Sequence, residues 1–201
     1  MPSTPTKMSL GTVEVTTPKT QVNRMSTIIW GPSGSGKTTL AATAPRPMLY
    51  VNFDPDGTSS LMDQDDIYIA DFSMENPNKV VTFKHDNAGG IKQILDDHPD
   101  IKTVVFDSIT SFNEMSLRYA VSEVRGATME APTLQGYGRR NSYTMQGIMS
   151  VIKVTGALGK HCIFVAHEDS PQKDELSGAM MVSILVGGKM QSEIPIKLSE
   201  V

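Results

Sequence analysis

A single cysteine in 201 residues removes any disulfide framework and any cysteine-based zinc site from consideration. That residue, Cys162, stands in the apolar run Cys162-Ile163-Phe164-Val165-Ala166, where a small thiol reads as core rather than as nucleophile or ligand. No apolar stretch approaches the ~18 residues of a membrane-crossing helix, and the N-terminus lacks the basic-then-apolar layout of a secretory leader. The expectation is therefore a cytoplasmic protein with no membrane partner. No internal repeat recurs, and a hydrophobic share of 39% suits one sizeable core better than two.

An excess of positive charge is also missing. The net charge of −4 argues against indiscriminate binding to polyanions, but the average conceals two opposite regions. Between Asp54 and Glu75 there are seven acids and no Lys or Arg, a stretch that repels a polyanion. Between Arg125 and Lys160, five bases face the single acid Glu130, and that stretch attracts one.

The most specific pattern present is Gly31-Pro32-Ser33-Gly34-Ser35-Gly36-Lys37-Thr38, G-x-x-x-x-G-K-T, directly after the apolar run Ser26-Thr27-Ile28-Ile29-Trp30. A strand that feeds such a loop and then a helix is a phosphate cradle for ATP and Mg²⁺. Its glycines let backbone N–H groups turn inward, Lys37 reaches the β- and γ-oxygens, and the Thr38 hydroxyl ligates the metal. The binding set read from this motif is Gly31, Pro32, Ser33, Gly34, Ser35, Gly36, Lys37, Thr38 and Thr39, and the helix N-terminus adds partial positive charge.

Around this loop the chain divides into two parts. Residues 1–24 carry three prolines, many Ser and Thr, and no periodicity, which predicts a flexible arm; a strap that docks on a neighbouring subunit is its alternative. Residues 25–201 form the predicted core. Strands are expected at 25–30, 47–53, 67–72, 102–107, 162–166 and 194–198, and helices at 36–44, 90–97, 110–124 and 140–158. The Gly- and Pro-containing stretch 126–138 between the last two helices reads as a loop. Strands alternating with helices predict an α/β fold with a doubly wound, mostly parallel sheet flanked by helices, its ligands at the strand C-termini.

Three of those strand ends carry polar groups. Val104-Val105-Phe106-Asp107 is a buried-strand pattern closed by a carboxylate 70 positions after Lys37, as expected of an acid that holds Mg²⁺ beside Thr38. Ser108 either joins this site or caps the next helix. Hydrolysis also requires a group that orients water, for which Asp54 and Asp56, both ending the strand Leu49–Phe53, are candidates. His167 and Glu168 end the Cys162–Ala166 strand, and an imidazole there suits a γ-phosphate sensor.

Together, Gly31–Thr38, Tyr50–Asp54, Val104–Thr110, Tyr137-Gly138-Arg139-Arg140-Asn141, Ala166-His167-Glu168 and Gly188-Lys189 resemble the phage RecA-like P-loop ATPases. More closely, they resemble the compact phage nucleotide-binding proteins proposed to act in single-strand annealing or recombination. The resemblance spans residues 25–198. It implies an ATPase with Lys37, Asp54, Asp107, His167 and Glu168 as the catalytic set, and Asp54 in the place where the family usually has Glu. It also implies two loops facing single-stranded DNA, about 126–143 and 169–188, the first carrying Tyr137, Arg139, Arg140 and Tyr143. ATP would lie between subunits of a head-to-tail homo-oligomer, ring or filament, with Lys189 of a neighbour completing the site and Arg139 and Arg140 as rivals. A single-strand DNA-binding protein is a further implied partner, and the cytoplasm of a phage-infected bacterium the implied location.

Competing readings use the same loop. A small-molecule or nucleotide kinase needs an Arg-rich lid, for which only Arg139-Arg140 offers material; an ATP-dependent scaffold and a helicase-type motor are the others. No guanine-specific Asn-Lys-x-Asp is present. A natural chain continuing beyond Val201 is also expected from a strand close to the end.

Overall fold

Five parallel strands form the centre of the protein, in the order β3-β7-β6-β4-β5. They are β3 (Ser26–Gly31), β4 (Met48–Asn52), β5 (Ile67–Asp71), β6 (Thr103–Asp107) and β7 (His161–His167). The computed structural model describes residues 8–10, 12–15, 24–55, 57–173 and 178–198. Strands β4 and β6 are buried at every position, as continuous apolar runs covered on both faces should be. Among the described residues no helix is long and apolar enough to cross a membrane.

The insertion of β7 between β3 and β6 is what assembles the site. Register pairs Gly31 with His167, Asp107 with Val165 and Asn52 with Asp107. The polar ends of four strands therefore lie side by side at the C-terminal edge of the sheet.

Helices cover both faces. On one, the short helix α1 (Lys37–Ala41) packs with Ala42, Met48, Tyr50, Leu61, Val105, Ile163 and Val165. The opposite face carries α2 (Val80–Phe83), α3 (Ile91–Asp97), α4 (Ile109–Ser122) and α5 (Leu134–Ala157). There all six phenylalanines of the chain join one contiguous set of ring contacts, with centroids 4.6–5.8 Å apart. Edge-to-face pairs of this kind add to the area they bury. Gly147 permits it, because a Cβ there would lie 2.6 Å from the Phe112 ring.

Three elements differ from the sequence-based expectation. The stretch 126–138 is not loop throughout: α5 begins at Leu134, with the Thr133 hydroxyl accepting from Gly136 N–H at 3.2 Å. Gly136 and Gly138, read as breakers, are inside the helix, where a Cβ at Gly136 would make only ordinary contact with Val121 of α4 at 3.9 Å and one at Gly138 would meet nothing within 4 Å. The expected strand at 194–198 is helix α6 (Met190–Ile196); Met190, Ile194 and Leu198 are buried while Ser192 and Ile196 between them are exposed, a pattern that fits the period of a helix and not that of a strand. Within 1–24, Met8–Leu10 (β1) pairs antiparallel with Val13–Val15 (β2); residues 1–7, 11 and 16–23 of the expected arm lie outside the described residues.

Candidate functional site

The loop after β3 reaches α1 through Gly34 and Gly36, whose φ angles of +75° and +82° suit glycine and strain any other residue. Ser33, Gly34, Gly36, Lys37, Thr38 and Thr39 line a cavity of about 590 Å³ together with Asp54, Asp107, His167 and the segment Pro55, Gly57, Ser59 and Ser60. Lys37 is buried and donates from Nζ to the carbonyls of Gly31 (3.0 Å) and Pro32 (2.8 Å). These two acceptors satisfy the cation in the cavity without an anion, and a phosphate would have to draw it from them. Ser35 packs back against Gly31, where a Cβ would meet its Oγ at 3.2 Å.

Behind the loop, Asp107 accepts from Thr38 Oγ1 at 2.9 Å and from the hydroxyl of Tyr50, both on Oδ2. Burial pushes its carboxyl upward against the hydrogen bonds from Tyr50 and Thr38, and the negative charge of Asp54 adds to that push. Burial likewise drives the Tyr50 phenol far above its ordinary value, reinforced by the Asp107 charge, so Tyr50 stays protonated and donates. Thr38 and Asp107 offer only oxygen, as Mg²⁺ prefers. Among the described residues no cluster of three or more His, Cys, Asp or Glu could cage a metal. This fits an ion held jointly with nucleotide phosphates.

Asp54 is the second carboxylate. Its Oδ1 accepts from Ser108 Oγ at 3.1 Å and from Ser111 Oγ, and its Oδ2 from His167 Nε2 at 3.1 Å. Burial opposes ionisation, but the bonds from His167 and Ser111, the His167 charge and the Ser108 bond outweigh it and hold the carboxyl below the usual range. Asp54 is thus a ready anion, and His167 is the donor to its Oδ2 among the described residues. Asp56, the alternative, lies outside the described residues.

His167 is fixed at the backbone as well, its N–H donating to Thr110 Oγ1 at 3.0 Å and its carbonyl accepting from Leu185 at 2.7 Å. Glu168 does not line the cavity; its N–H donates to the Gly31 carbonyl at 3.0 Å and it bridges to Ile184. From there Gln172–Lys173 (β8) pairs with Met180–Met181 (β9), an exposed hairpin rooted at the strand end that carries His167.

The residues expected to face DNA lie on the N-terminal half of α5, not on a loop. Arg139 bonds Glu123 at 3.0 Å, and the Tyr143 hydroxyl donates to the same carboxylate. The Arg140 guanidinium stands over the Tyr137 ring at 5.0 Å and so close to Gly187 that a Cβ there would lie 1.8 Å from it. Lys189 is exposed beside Asn141, Ser142, Met145, Met190 and Glu193, apart from the residues lining the phosphate-loop cavity.

Tyr50, Thr110 and Ser111 are the site residues that sequence reasoning passed over, and Ser108 does both things considered for it: it caps α4 through Ser111 N–H at 3.1 Å and bonds Asp54. The Ser-x-x-Ser opening of α4 marks the pair. Tyr50 is marked only by a polar tip in an otherwise apolar strand.

A phosphate loop between the first strand and helix of this sheet, with paired carboxylates on the neighbouring strand ends, is the arrangement of a P-loop nucleotide-binding domain. The chain belongs to the AAA domain family, whose sequence profile matches residues 23–201. No curated protein matches it. Among solved structures it is similar to a KaiC-like protein of the hyperthermophilic archaeon Pyrococcus horikoshii, with 15% identity, 80% of this chain and 77% of that chain covered, and a TM-score of 0.44.

Proposed function

We propose that the protein hydrolyses ATP with Mg²⁺ and couples the reaction to single-stranded DNA as a homo-oligomer, in recombination, annealing or repair of phage DNA in the host cytoplasm. The observation that carries the ATPase assignment is the convergence of Lys37, Thr38, Asp107 and Asp54 on one cavity. Bound Mg²⁺ supplies electrophilic stabilisation of charge on the β- and γ-phosphate oxygens. Thr38 and Asp107 would hold it, and Lys37 would leave the Gly31 and Pro32 carbonyls for the phosphates. Asp54 Oδ2 accepts a hydrogen bond from the attacking water and orients it.

His167 joins Asp54 to the segment carrying β8 and β9, its carbonyl accepting from Leu185 N–H, so a change in what Asp54 contacts reaches that segment through one side chain. DNA recognition rests on Tyr137, Arg139, Arg140 and Tyr143, a mixture of cations and aromatic faces along the N-terminal half of α5, Tyr137 exposed and the other three half-buried, within a region of net positive charge. Lys189 of a neighbouring subunit is the candidate that reaches the γ-phosphate, and a single-strand DNA-binding protein the candidate companion.

The test is ATP turnover by the purified protein with and without single-stranded DNA, using Lys37→Ala to exclude contaminating activity. DNA stimulation that Lys37→Ala abolishes supports the reading. Turnover indifferent to DNA removes the DNA part, and turnover insensitive to Lys37→Ala removes the ATPase assignment.

A further inference from the structure

We infer that Asn52 is a positioning residue for Asp54: its buried amide clasps the Asp54 backbone on both sides and so sets where the carboxylate enters the cavity. This rests on the role proposed above for Asp54. Asn52 Oδ1 accepts from the Asp54 N–H at 3.2 Å, and Nδ2 donates to the Asp54 carbonyl at 2.9 Å. The second Nδ2 proton goes to Asp71 Oδ1 at 3.0 Å, on β5, where register pairs the two residues. With both donors and one acceptor committed, the amide has a single orientation that satisfies its partners.

The clasp takes over where the sheet stops. Phe53 N–H still reaches the Asp107 carbonyl, at 2.6 Å. One residue later, among the described residues, the Asp54 N–H has no acceptor besides Asn52, and the Asp54 carbonyl has Gly57 N–H, at 3.1 Å, as its other backbone-side donor. Ser108, Ser111 and His167 orient the Asp54 oxygens, but they belong to other elements and act on the end of the side chain. Asn52 acts on the backbone from which that side chain starts. At 1% exposure it is the polar end of a buried strand, and an amide desolvated to that degree is retained for its bonds. Gly57 folds the turn down over it, since a Cβ there would lie 2.6 Å from Asn52 Oδ1 and 3.1 Å from Asp54 Cβ. Asp54, Pro55 and Gly57 all line the phosphate-loop cavity, so the clasp holds one of its walls.

Asn52→Leu keeps the approximate size of the side chain and removes all three bonds. Turnover is expected to fall about 10²-fold in kcat, with affinity for a non-hydrolysable ATP analogue unchanged. In the Asp54→Asn background the same substitution should change kcat little, because the group it positions is already gone; a general structural defect would lower kcat by the same factor in both backgrounds. An Asn52→Leu protein that turns over as wild type, that loses analogue affinity in step with kcat, or that loses the same factor beside Asp54→Asn overturns the inference. If Asp54→Asn alone turns over as wild type, the role of Asp54 fails, whereas a slowed Asp54→Asn beside an unaltered Asn52→Leu removes Asn52 alone. Should Asn52→Leu not fold, Asn52→Asp decides, since it keeps the acceptor for the Asp54 N–H and loses the donor to the Asp54 carbonyl. A fall in kcat confined to the background with Asp54 intact supports the inference, and an equal fall in both backgrounds, or none, overturns it.

Discussion

His167 Nε2 lies 3.1 Å from Asp54 Oδ2, a bond between two strand ends 113 residues apart in the chain. Because a carboxylate only accepts, the imidazole nitrogen must donate, which sets the tautomer when His167 is neutral. The same residue, whose carbonyl accepts from Leu185 N–H at 2.7 Å, also ties that carboxylate to the chain beyond Glu168. His167→Ala is expected to keep ATP binding and to lose the dependence of turnover on DNA. Normal hydrolysis with normal DNA coupling in that variant would show that no relay runs through His167.

Removing the Asp54 carboxylate tests its proposed role more directly. Asp54→Asn retains the shape and the acceptor for Ser108 and Ser111 but no longer offers an anion to water. The expected result is a fall in kcat of about 10²–10⁴-fold with little change in ATP affinity, measured by steady-state turnover and by equilibrium binding of a non-hydrolysable analogue.

Asp54 and Asp107 should affect stability with opposite signs. The Asp54 carboxyl is held low in the folded protein, so its contribution is present above the unfolded value near pH ~4 and is lost as the pH falls through the folded value. Asp107 is held high by burial, so its ionised form costs stability at neutral pH, and the cost fades as the pH drops through the folded value toward the unfolded one. Asp107→Asn is therefore expected to raise Tm at pH 7 by about 2–4 °C while lowering Mg²⁺-dependent turnover about 10–100-fold. Asp54→Asn should lower Tm at pH 7 and converge on wild type once the pH has fallen through the folded value of the carboxyl. Thermal melts across pH read both.

The bonds between Glu123, Arg139 and Tyr143 make the DNA assignment testable in both directions. Glu123→Gln releases a cation and an aromatic hydroxyl from an acceptor in their midst. Affinity for single-stranded DNA should rise several-fold and its salt dependence steepen by about one unit of slope. Arg139→Ala should reverse both. Fluorescence anisotropy at several salt concentrations distinguishes these outcomes, and no response to either substitution would move the DNA surface elsewhere.

Gly147→Ala probes the aromatic cluster. The added methyl would meet the Phe112 ring at 2.6 Å and Phe83 Cβ at 3.4 Å, in a region where both rings are fully buried. Overpacking of this kind costs about 1–3 kcal/mol. Denaturant unfolding should show the loss at unchanged m-value.

The sequence by itself determined the elements whose local chemistry has one solution. G-x-x-x-x-G-K-T after an apolar strand reads as a phosphate loop, its glycines at 34 and 36 suiting the positive φ the backbone takes there, and Val104–Asp107 reads as a buried strand ended by an acid. Where tertiary contacts outweigh local preference, only the folded structure decided. Gly136 and Gly138 look like breaks, yet the Thr133 cap and the packing of α5 hold both inside a helix, which carries Tyr137, Arg139, Arg140 and Tyr143 onto it. Met190, Ile194 and Leu198 choose helix because a hydrophobic core awaits that face. The bonds from His167 and Ser111 to Asp54, and from Tyr50 to Asp107, arise from the order of strands in the sheet. Strand order brings together residues far apart in the chain, and no local pattern encodes it.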